Sequence, residues 1–459
     1  MQTLPFVRNK TFLQVGVIIL ALIASVLTGI TGFILASSFS PLIIGGLLAI
    51  GVISIVWLKR PVWALYCTLF VILLPDGLIP LNIQSILNRS LTMIALATWV
   101  LDILILRHKI RWTNATTFML VFLIWCLASL LWTVDLSQAT TQIQVYTLRF
   151  ILFLILIPNL IRTPKELKGL MFILALSGWV VILATYSTVF VSGYTSGTRL
   201  KVLSANENGL GVLALLTMVG VLWFGLHPEE RSMRIMKWMA AIYLLLTIGL
   251  VAMSGSRGSA ISLFLILAAF LVFKPTRFWG KVGFSIIASG ILIAPFIFST
   301  TFERFSLVSG DTLLGGREVI WQATWMVIRD QPWFGVGIGN APRAVLLYDS
   351  TLWGRTASET VSIHNPLLAI WAETGIPGLL VYLGILGSAL GSFGIQYWKH
   401  WRHNMKNLLP YFPLVASIFL GYMASWIKGG GMESELTYYF MLALLLIPSG
   451  LITETTPTN

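Results

Sequence analysis

His364-Asn-Pro-Leu-Leu-Ala-Ile-Trp-Ala-Glu373-Thr-Gly375-Ile-Pro-Gly378 is the stretch around which the chain is organised. It follows Thr300–Ile363, the only long polar segment in a sequence otherwise made of apolar runs. Asn365 can cap a helix, and Pro366 suits the first helical position. The sequence therefore predicts a helix start with His364 just outside it. Backbone N–H groups at such a start favour an anion over a protonated imidazole.

The end of this stretch predicts a break in the helix, because Gly375, Pro377 and Gly378 are poor residues for a helix interior. Such a break can admit a re-entrant entry into the next membrane span. Glu373 precedes the break, and on a continuous helix its side chain points to the face opposite that of His364. We therefore expect Glu373 to support the site or its packing rather than to form an acid–base pair with His364.

Composition indicates an integral membrane protein. The 459 residues are 57% hydrophobic and 10% charged, with a mean hydropathy of +0.87, whereas soluble domains carry about 25% charged residues. Cys67 and Cys126 lie in apolar runs, so the sequence predicts neither a disulfide framework nor a cysteine metal site. We expect no metal and no other cofactor.

Apolar runs of spanning length predict about 12 to 14 transmembrane helices and an all-α polytopic fold. The first two runs are Phe12–Ala36 and Phe39–Leu58, and we expect the first to be retained as a span. With the N-terminus inside, most Lys and Arg residues fall in short inside segments, so both termini are predicted to be cytoplasmic. The net charge of +13 is then mostly a topology signal and does not indicate a nucleic-acid surface.

The sequence predicts a single transmembrane domain, 1–459, with residues 300–363 forming an extracytoplasmic loop. Gly315–Asp330 in this loop is expected to form an amphipathic helix at the membrane surface or over the bundle. Its apolar residues at helical spacing are Val319, Ile320, Ala323, Met326 and Val327. Pro332–Asn340 superficially resembles a glycine-rich nucleotide loop, but it precedes no βαβ unit, so we interpret it as a turn.

The predicted topology distinguishes one histidine from the others. Only His364 faces outward, and a neutral imidazole there can accept a proton from a hydroxyl nucleophile. The remaining histidines lie in predicted inside loops, where we expect solvated interface residues: His108, His227, His400 and His403.

The outside cations singled out by their sequence context are Arg199, Lys201, Arg257, Arg317 and Lys428. Arg257 sits in a small-residue break between two spans, and Arg317 opens the amphipathic helix. Guanidinium groups match phosphate oxygens well, so converging arginines can hold a diphosphate and keep a nearby His364 neutral by repulsion. The alternative for each arginine is an interfacial anchor whose charge reaches the headgroup region.

Arg149 differs from these cations because it lies inside a predicted span, within Tyr146–Phe153. An arginine inside a membrane is costly and usually faces a cavity or a partner. The sequence leaves open whether Arg149 is structural or functional.

The motifs resemble those of the O-antigen ligase and Wzy-type polymerase superfamily, and they occur in the same order. They are Arg199 upstream of Asn206-Glu-Asn208, Ser-Arg257-Gly, and His364-Asn365 followed by Glu373-x-Gly375-x-x-Gly378. The family pattern has a Pro-Asn pair where this chain has Asn206-Glu-Asn208, which leaves the roles of these two asparagines open.

The resemblance implies a metal-independent glycosyltransferase of the GT-C type in the bacterial inner membrane, with its active site on the extracytoplasmic side. Members move glycan from an undecaprenyl diphosphate carrier to an acceptor sugar hydroxyl. By position, His364 would activate that hydroxyl, and Arg199 and Arg257 would bind the diphosphate. Arg317 is a looser assignment to the same role. Supporting roles fall to Asn365, Glu373, Lys428 and Arg149.

Several functions remain open at this point. Ligase and polymerase share the donor, and the single long loop with its compact His364 motif favours a ligase that attaches O-antigen to lipid A-core. A flippase or transporter of lipid-linked glycan predicts inverted repeats and midplane polar sites, and the sequence has no internal repeat. A structural partner in an envelope complex is a third possibility, and a peptidoglycan polymerase would rest on an outward aspartate such as Asp311. Membrane lipids are expected partners, and nucleic acid is not.

Overall fold

The computed structural model describes residues 60–106, 109–193, 207–226, 233–297, 317–348, 361–402, 408–429 and 432–451. In this part of the chain 85% of the residues are helical and none lies in a β-strand. Seven of the described helices are long and apolar enough to cross a membrane. The protein is therefore an all-α, multi-pass membrane protein, as its composition predicts.

The described helices, in chain order, are α1 Pro61–Ile72, α2 Leu81–Leu106, α3 Asn114–Ala128, α4 Leu136–Arg149, α5 Ile157–Leu160, α6 Pro164–Ser192, α7 Glu207–Leu226, α8 Met233–Ser254, α9 Arg257–Val272, α10 Arg277–Ile297, α11 Arg317–Asp330, α12 Ala341–Tyr348, α13 Pro366–Arg402, α14 Tyr411–Gly429 and α15 Met432–Leu446.

Predicted spans and observed helices agree closely. The apolar runs that follow the first two overlap these helices, whereas Phe12–Ala36 and Phe39–Leu58 lie outside the described residues. The helix starts follow local rules. Thr113 and Thr163 each form a capping box with the residue three positions later, and Asp135 caps α4 by accepting from Gln138 N.

Stacked aromatic rings join the later helices at the centre of the bundle. Tyr438 on α15 stacks on Trp426 on α14, with ring centroids 4.7 Å apart, and also on Tyr382 on α13 at 5.4 Å. Phe122 on α3 packs against Tyr382 as well. All of these rings are buried. They connect α3 and α13 to α14 and α15.

Residues 317–348 and 361–363 form a small second core outside the bundle. Ala323, Val327 and Ile328 of α11 pack with Ala341 and Val345 of α12. The predicted amphipathic helix is confirmed as Arg317–Asp330, with Ile328 buried and Met326 49% exposed. The sequence analysis did not predict α12, although the spacing of Ala341 and Val345 is helical.

Two residues that can carry charge, His400 and Arg149, are buried in the bundle. His400 was expected to be solvated, and this prediction is wrong: it is 5% exposed, and its ring packs 5.3 Å from that of Phe412. Arg149 ends α4 and is buried, and the span Leu136–Leu160 continues through a π-helical segment, Phe150–Leu156. Such segments are uncommon and are frequently found at functional sites.

Candidate active site

The break in α13 is the structural centre of the end of the bundle that is predicted to be extracytoplasmic, the outer end. Gly375 has φ 68° and ψ −172°, a conformation essentially restricted to glycine. Two residues later Pro377 provides no N–H, so it cannot supply the helical hydrogen bond to the carbonyl of Glu373, four residues before it. The helix continues on both sides of this point, so the predicted break is confirmed as a kink within α13.

The glycine turn Pro332–Asn340 supplies the hydrogen bonds that the kink removes. Val336 N donates to Ala372 O at 2.9 Å, Gly337 N donates to Glu373 O at 3.0 Å, and Ile376 N donates to Pro332 O at 2.9 Å. The turn interpretation is therefore confirmed. The amides of Val336 and Gly337 thus bind backbone carbonyls of α13.

Close approach of the two backbones requires glycine on both sides. A side chain at Gly375 would overlap the carbonyl of Trp333, and one at Gly335 would overlap the carbonyl carbon of Glu373. Trp125 on α3 completes the arrangement, because its Nε1 donates to the carbonyl of Thr374 at 2.8 Å. The kink is thus held by groups from two other segments.

The loop between α3 and α4 holds the other side of the glycine turn. Ile338 N donates to Ser129 Oγ at 3.2 Å. Asn340 is buried and bonds in two directions: Nδ2 donates to Thr133 Oγ1 at 2.5 Å, and Oδ1 accepts from Asp135 N at 3.0 Å. The sequence analysis missed these contacts, because only the three-dimensional fold brings residues near 130 to residues near 340.

His364 occupies a constrained turn at the start of α13. Its φ of 54° is the only positive value at a non-glycine residue in the described part of the chain. Trp321 on α11 donates through Nε1 to the carbonyl of Ile363 at 2.9 Å. Asn365 caps α13, with Oδ1 accepting from Leu367 N and Leu368 N at 3.1 Å. The predicted cap is confirmed, and the backbone is fixed on both sides of His364.

The ring of His364 is partly exposed, and its Nδ1 lies 3.4 Å from Ser362 Oγ. Arg317 begins α11 one helical turn before Trp321, which holds the backbone beside His364. Burial lowers the pKa of Arg317, which shows a guanidinium partly removed from water. The structure therefore brings Arg317 to the same helix ends as His364.

Arg257 lies at a second turn, between α8 and α9. Ser256 caps α9 by accepting from Ser259 N at 3.3 Å, and Ser254 Oγ accepts from Ser256 N at 3.2 Å. Arg257 is the first residue of α9 and is partly exposed. A cation at a helix N-terminus opposes the helix dipole, so this end concentrates positive potential.

Two other helix ends lie beside Arg257. A side chain added at Gly211 of α7 would overlap Ser259, and one at Gly258 would come within 3.5 Å of Ser425 Oγ on α14. Lys428 follows Ser425 by one turn of α14. The fold thus gathers the start of α7, the start of α9 and the end of α14. Arg199, Asn206 and Asp311 lie outside the described residues, as do the side chains of Asn208 and Lys428.

Glu373 is buried at the kink, at the other end of the first helical segment from His364. This placement agrees with a packing carboxylate, although its role stays a prediction. Among the residues that sequence reasoning missed, Trp321 is closest to His364. Its only sequence signal is an indole on the amphipathic helix, and an indole N–H needs an acceptor when it is buried.

Comparison with known proteins agrees with this geometry. Residues 241–383 match the family model described as O-Antigen ligase, and the matched segment contains Arg257, Arg317, His364 and the kink at Gly375. A search of curated proteins gives no match. The match at residues 241–383 supports the predicted resemblance to the O-antigen ligase and Wzy-type superfamily.

Proposed function

We propose that the protein is a membrane glycosyltransferase. It would transfer glycan from an undecaprenyl diphosphate carrier to an acceptor sugar hydroxyl, as an O-antigen ligase that attaches O-antigen to lipid A-core. The observation that carries the proposal is the His364 turn. A histidine with positive φ, fixed between the Trp321 hydrogen bond and the Asn365 cap, lies within the segment that matches the ligase family. Strained backbone of this kind tends to occur at functional sites.

In the proposed reaction the acceptor hydroxyl oxygen attacks the anomeric carbon of the donor sugar. The bond from that carbon to the diphosphate oxygen breaks, and the hydroxyl proton passes to His364. A hydrogen on Nδ1 directed toward Ser362 leaves the Nε2 lone pair to accept this proton. General base catalysis of this type contributes about 10²–10⁴-fold.

Departure of undecaprenyl diphosphate leaves negative charge that fixed cations stabilise, and this stabilisation is usually the largest contribution. Arg257 at the start of α9 is the best-placed described cation, since the helix end adds its own positive potential. Arg317 is half-buried beside the His364 turn, and burial strengthens its interaction with an anion. Arg199 and Lys428 complete the proposed set.

The proposed location is the bacterial inner membrane, with both termini cytoplasmic and the site extracytoplasmic. The reaction needs no metal, because the arginines take the role that a divalent cation has in other diphosphate enzymes. Glycan transfer is therefore expected to be the same with and without a chelator. Strong inhibition by chelator contradicts this part of the proposal.

The test uses the purified full-length protein in detergent with an undecaprenyl-diphosphate-linked glycan. One reaction receives a lipid A-core acceptor and the other does not. The proposal predicts product and release of undecaprenyl diphosphate only with the acceptor. Chain lengthening without the acceptor identifies a polymerase instead. If neither reaction releases undecaprenyl diphosphate, the transferase proposal is wrong and a flippase or transporter of the same lipid-linked glycan becomes the better candidate.

A further inference from the structure

A pair of arginines lies at the end of α3 opposite to the candidate active site. Arg111 precedes the start of α3, and Arg162 lies between α5 and α6. The span Asn114–Leu131 has 18 residues, which at about 1.5 Å each is close to the thickness of a membrane core. Both arginines are in segments predicted to be cytoplasmic, and neither takes part in the proposed glycan transfer.

Asn159 holds the two arginines next to each other. Its side chain accepts from Arg111 N at 2.7 Å and donates to Arg111 O at 3.0 Å. Its own carbonyl accepts from Arg162 Nε. Asn159 is 1% exposed, so this connection is rigid. Asn159 thus fixes the backbone of Arg111 and the guanidinium of Arg162, and the fold brings the two residues together.

The positive charge of this pair is only partly compensated. Burial lowers the pKa of Arg111, repulsion from Arg162 lowers it further, and attraction to Glu166 raises it by the smallest of the three effects. The Glu166 carboxylate is already engaged, because Oε2 accepts from the backbone N–H groups of Arg162 and Thr163. One nitrogen of each guanidinium, Arg111 Nη1 and Arg162 Nη2, is buried without a hydrogen-bond partner in the described structure.

Both arginines are only partly buried, so each side chain keeps a surface that an outside anion can contact. The surroundings indicate which anion. Trp63 and Trp112 are 51% and 53% exposed near the same end of the bundle, and exposed tryptophans are typical of the membrane–water interface. Lys109 and Lys165 are exposed beside the pair. A site at this level faces lipid headgroups more than bulk solution.

We propose that Arg111 and Arg162 bind the phosphate of an anionic phospholipid headgroup. Two guanidinium groups can each donate to the phosphate oxygens, and basic pockets between membrane helices on the cytoplasmic side recognise anionic headgroups in this way. The bound phosphate would neutralise the repulsion between the two arginines and join α3, α5 and α6. This site is separate from the candidate active site, and it does not depend on the proposed glycan transfer.

The test is native mass spectrometry of the full-length protein in a neutral detergent. Phosphatidylglycerol, phosphatidylcholine and inorganic phosphate are added in separate samples. We expect phosphatidylglycerol to be retained about tenfold or more over phosphatidylcholine, and inorganic phosphate not to displace it at equal concentration. The Arg111→Gln, Arg162→Gln double variant should lose this preference.

Arg277→Gln is the matched control. This arginine also begins a helix after a short loop, but its guanidinium donates to the carbonyls of Leu271 and Val272. The control should keep the preference of the natural chain. Arg111→Lys with Arg162→Lys keeps both charges and should retain part of the preference, because ammonium groups do not form the same paired contacts.

Three results overturn the proposal. The first is a natural chain that does not prefer phosphatidylglycerol over phosphatidylcholine. The second is a double glutamine variant that keeps the full preference for phosphatidylglycerol. The third is displacement of the bound lipid by inorganic phosphate. If the double variant does not fold, the two single variants and the lysine variant decide in the same way. An unchanged lipid preference in all three contradicts the proposal, and a graded loss supports it.

Discussion

Each end of α3 has a buried asparagine that ties two segments together, and the two ends differ in charge. At the outer end Asn340 joins the glycine turn to Thr133 and Asp135 through neutral groups. At the inner end Asn159 joins two arginines that one carboxylate does not neutralise. Hydrogen bonds between neutral groups fix the conformation of the backbone, whereas an excess of positive charge can also bind an anionic ligand. The bonds of Asn340 thus fix the glycine turn that holds the kink in α13, whereas the two arginines at Asn159 are open to an anion.

Gly375→Ala should have the largest effect on this arrangement. The substitution places a side chain against the carbonyl of Trp333 in a conformation that costs about 1–3 kcal/mol for other residues. We expect a loss of about 3 kcal/mol in the free energy of unfolding, since the hydrogen bonds of the glycine turn are also disturbed. Thermal unfolding in detergent measures it.

Gly387→Ala in the same helix is the matched control, because a side chain added there meets open space. Its effect should be neutral or a gain of about 0.5–1 kcal/mol. Equal melting temperatures for the two variants would show that the kink does not depend on glycine.

The two asparagines test the comparison directly. Asn340→Ala and Asn159→Ala should each cost about 1–3 kcal/mol, because each leaves buried backbone groups without partners. Their other effects should differ. Asn159→Ala should also weaken phosphatidylglycerol retention, because Arg111 and Arg162 lose their common anchor, whereas Asn340→Ala should not. Native mass spectrometry and thermal unfolding of both variants measure the two effects. Identical lipid retention in both variants would contradict the idea that only Asn159 supports an anion-binding site.

Asn365→Ala should have a smaller effect on stability, about 1 kcal/mol, because it removes the cap of α13. Glycan transfer should fall more than stability does, since the cap also fixes the backbone beside His364. Asn365→Asp retains the capping oxygen and serves as the control. Normal transfer by the alanine variant would mean that the His364 turn is held without the cap.

Arg343→Ala should have the smallest effect. Its ion pair with Asp135 has a distance of 3.3 Å, but the arginine side chain is 57% exposed, and such pairs contribute about 0–1 kcal/mol. We expect thermal unfolding close to that of the natural chain. A loss as large as that of Asn340→Ala would mean that charge also stabilises the outer end.

The sequence predicted the outer end in part. The Asn365 cap, the break at Gly375 and the helix before the glycine turn follow from local residue preferences, and all are confirmed. The partner of the break could not be predicted, because the Val336 and Gly337 amides reach α13 only through tertiary packing. Trp321 and Asn340 were missed for the same reason, since one indole or one amide carries no spacing pattern.

At the inner end the sequence predicted orientation but not pairing. In the sequence, Arg111 and Arg162 are two separate indicators of membrane topology. The fold brings both of them to Asn159. The prediction for His400 was wrong because loop position describes one element at a time. Its burial is decided by the neighbouring segment, whose Phe412 ring lies 5.3 Å away.

The most direct test of the central claim is glycan transfer by purified His364→Ala and Arg257→Ala variants beside the Gly387→Ala control. The donor is undecaprenyl-diphosphate-linked glycan, and the acceptor is lipid A-core. We predict that the control transfers normally and that the His364 variant loses about 10²–10⁴-fold, with the Arg257 variant similarly impaired and both correctly folded. Near-normal transfer by folded His364→Ala and Arg257→Ala proteins would contradict the account.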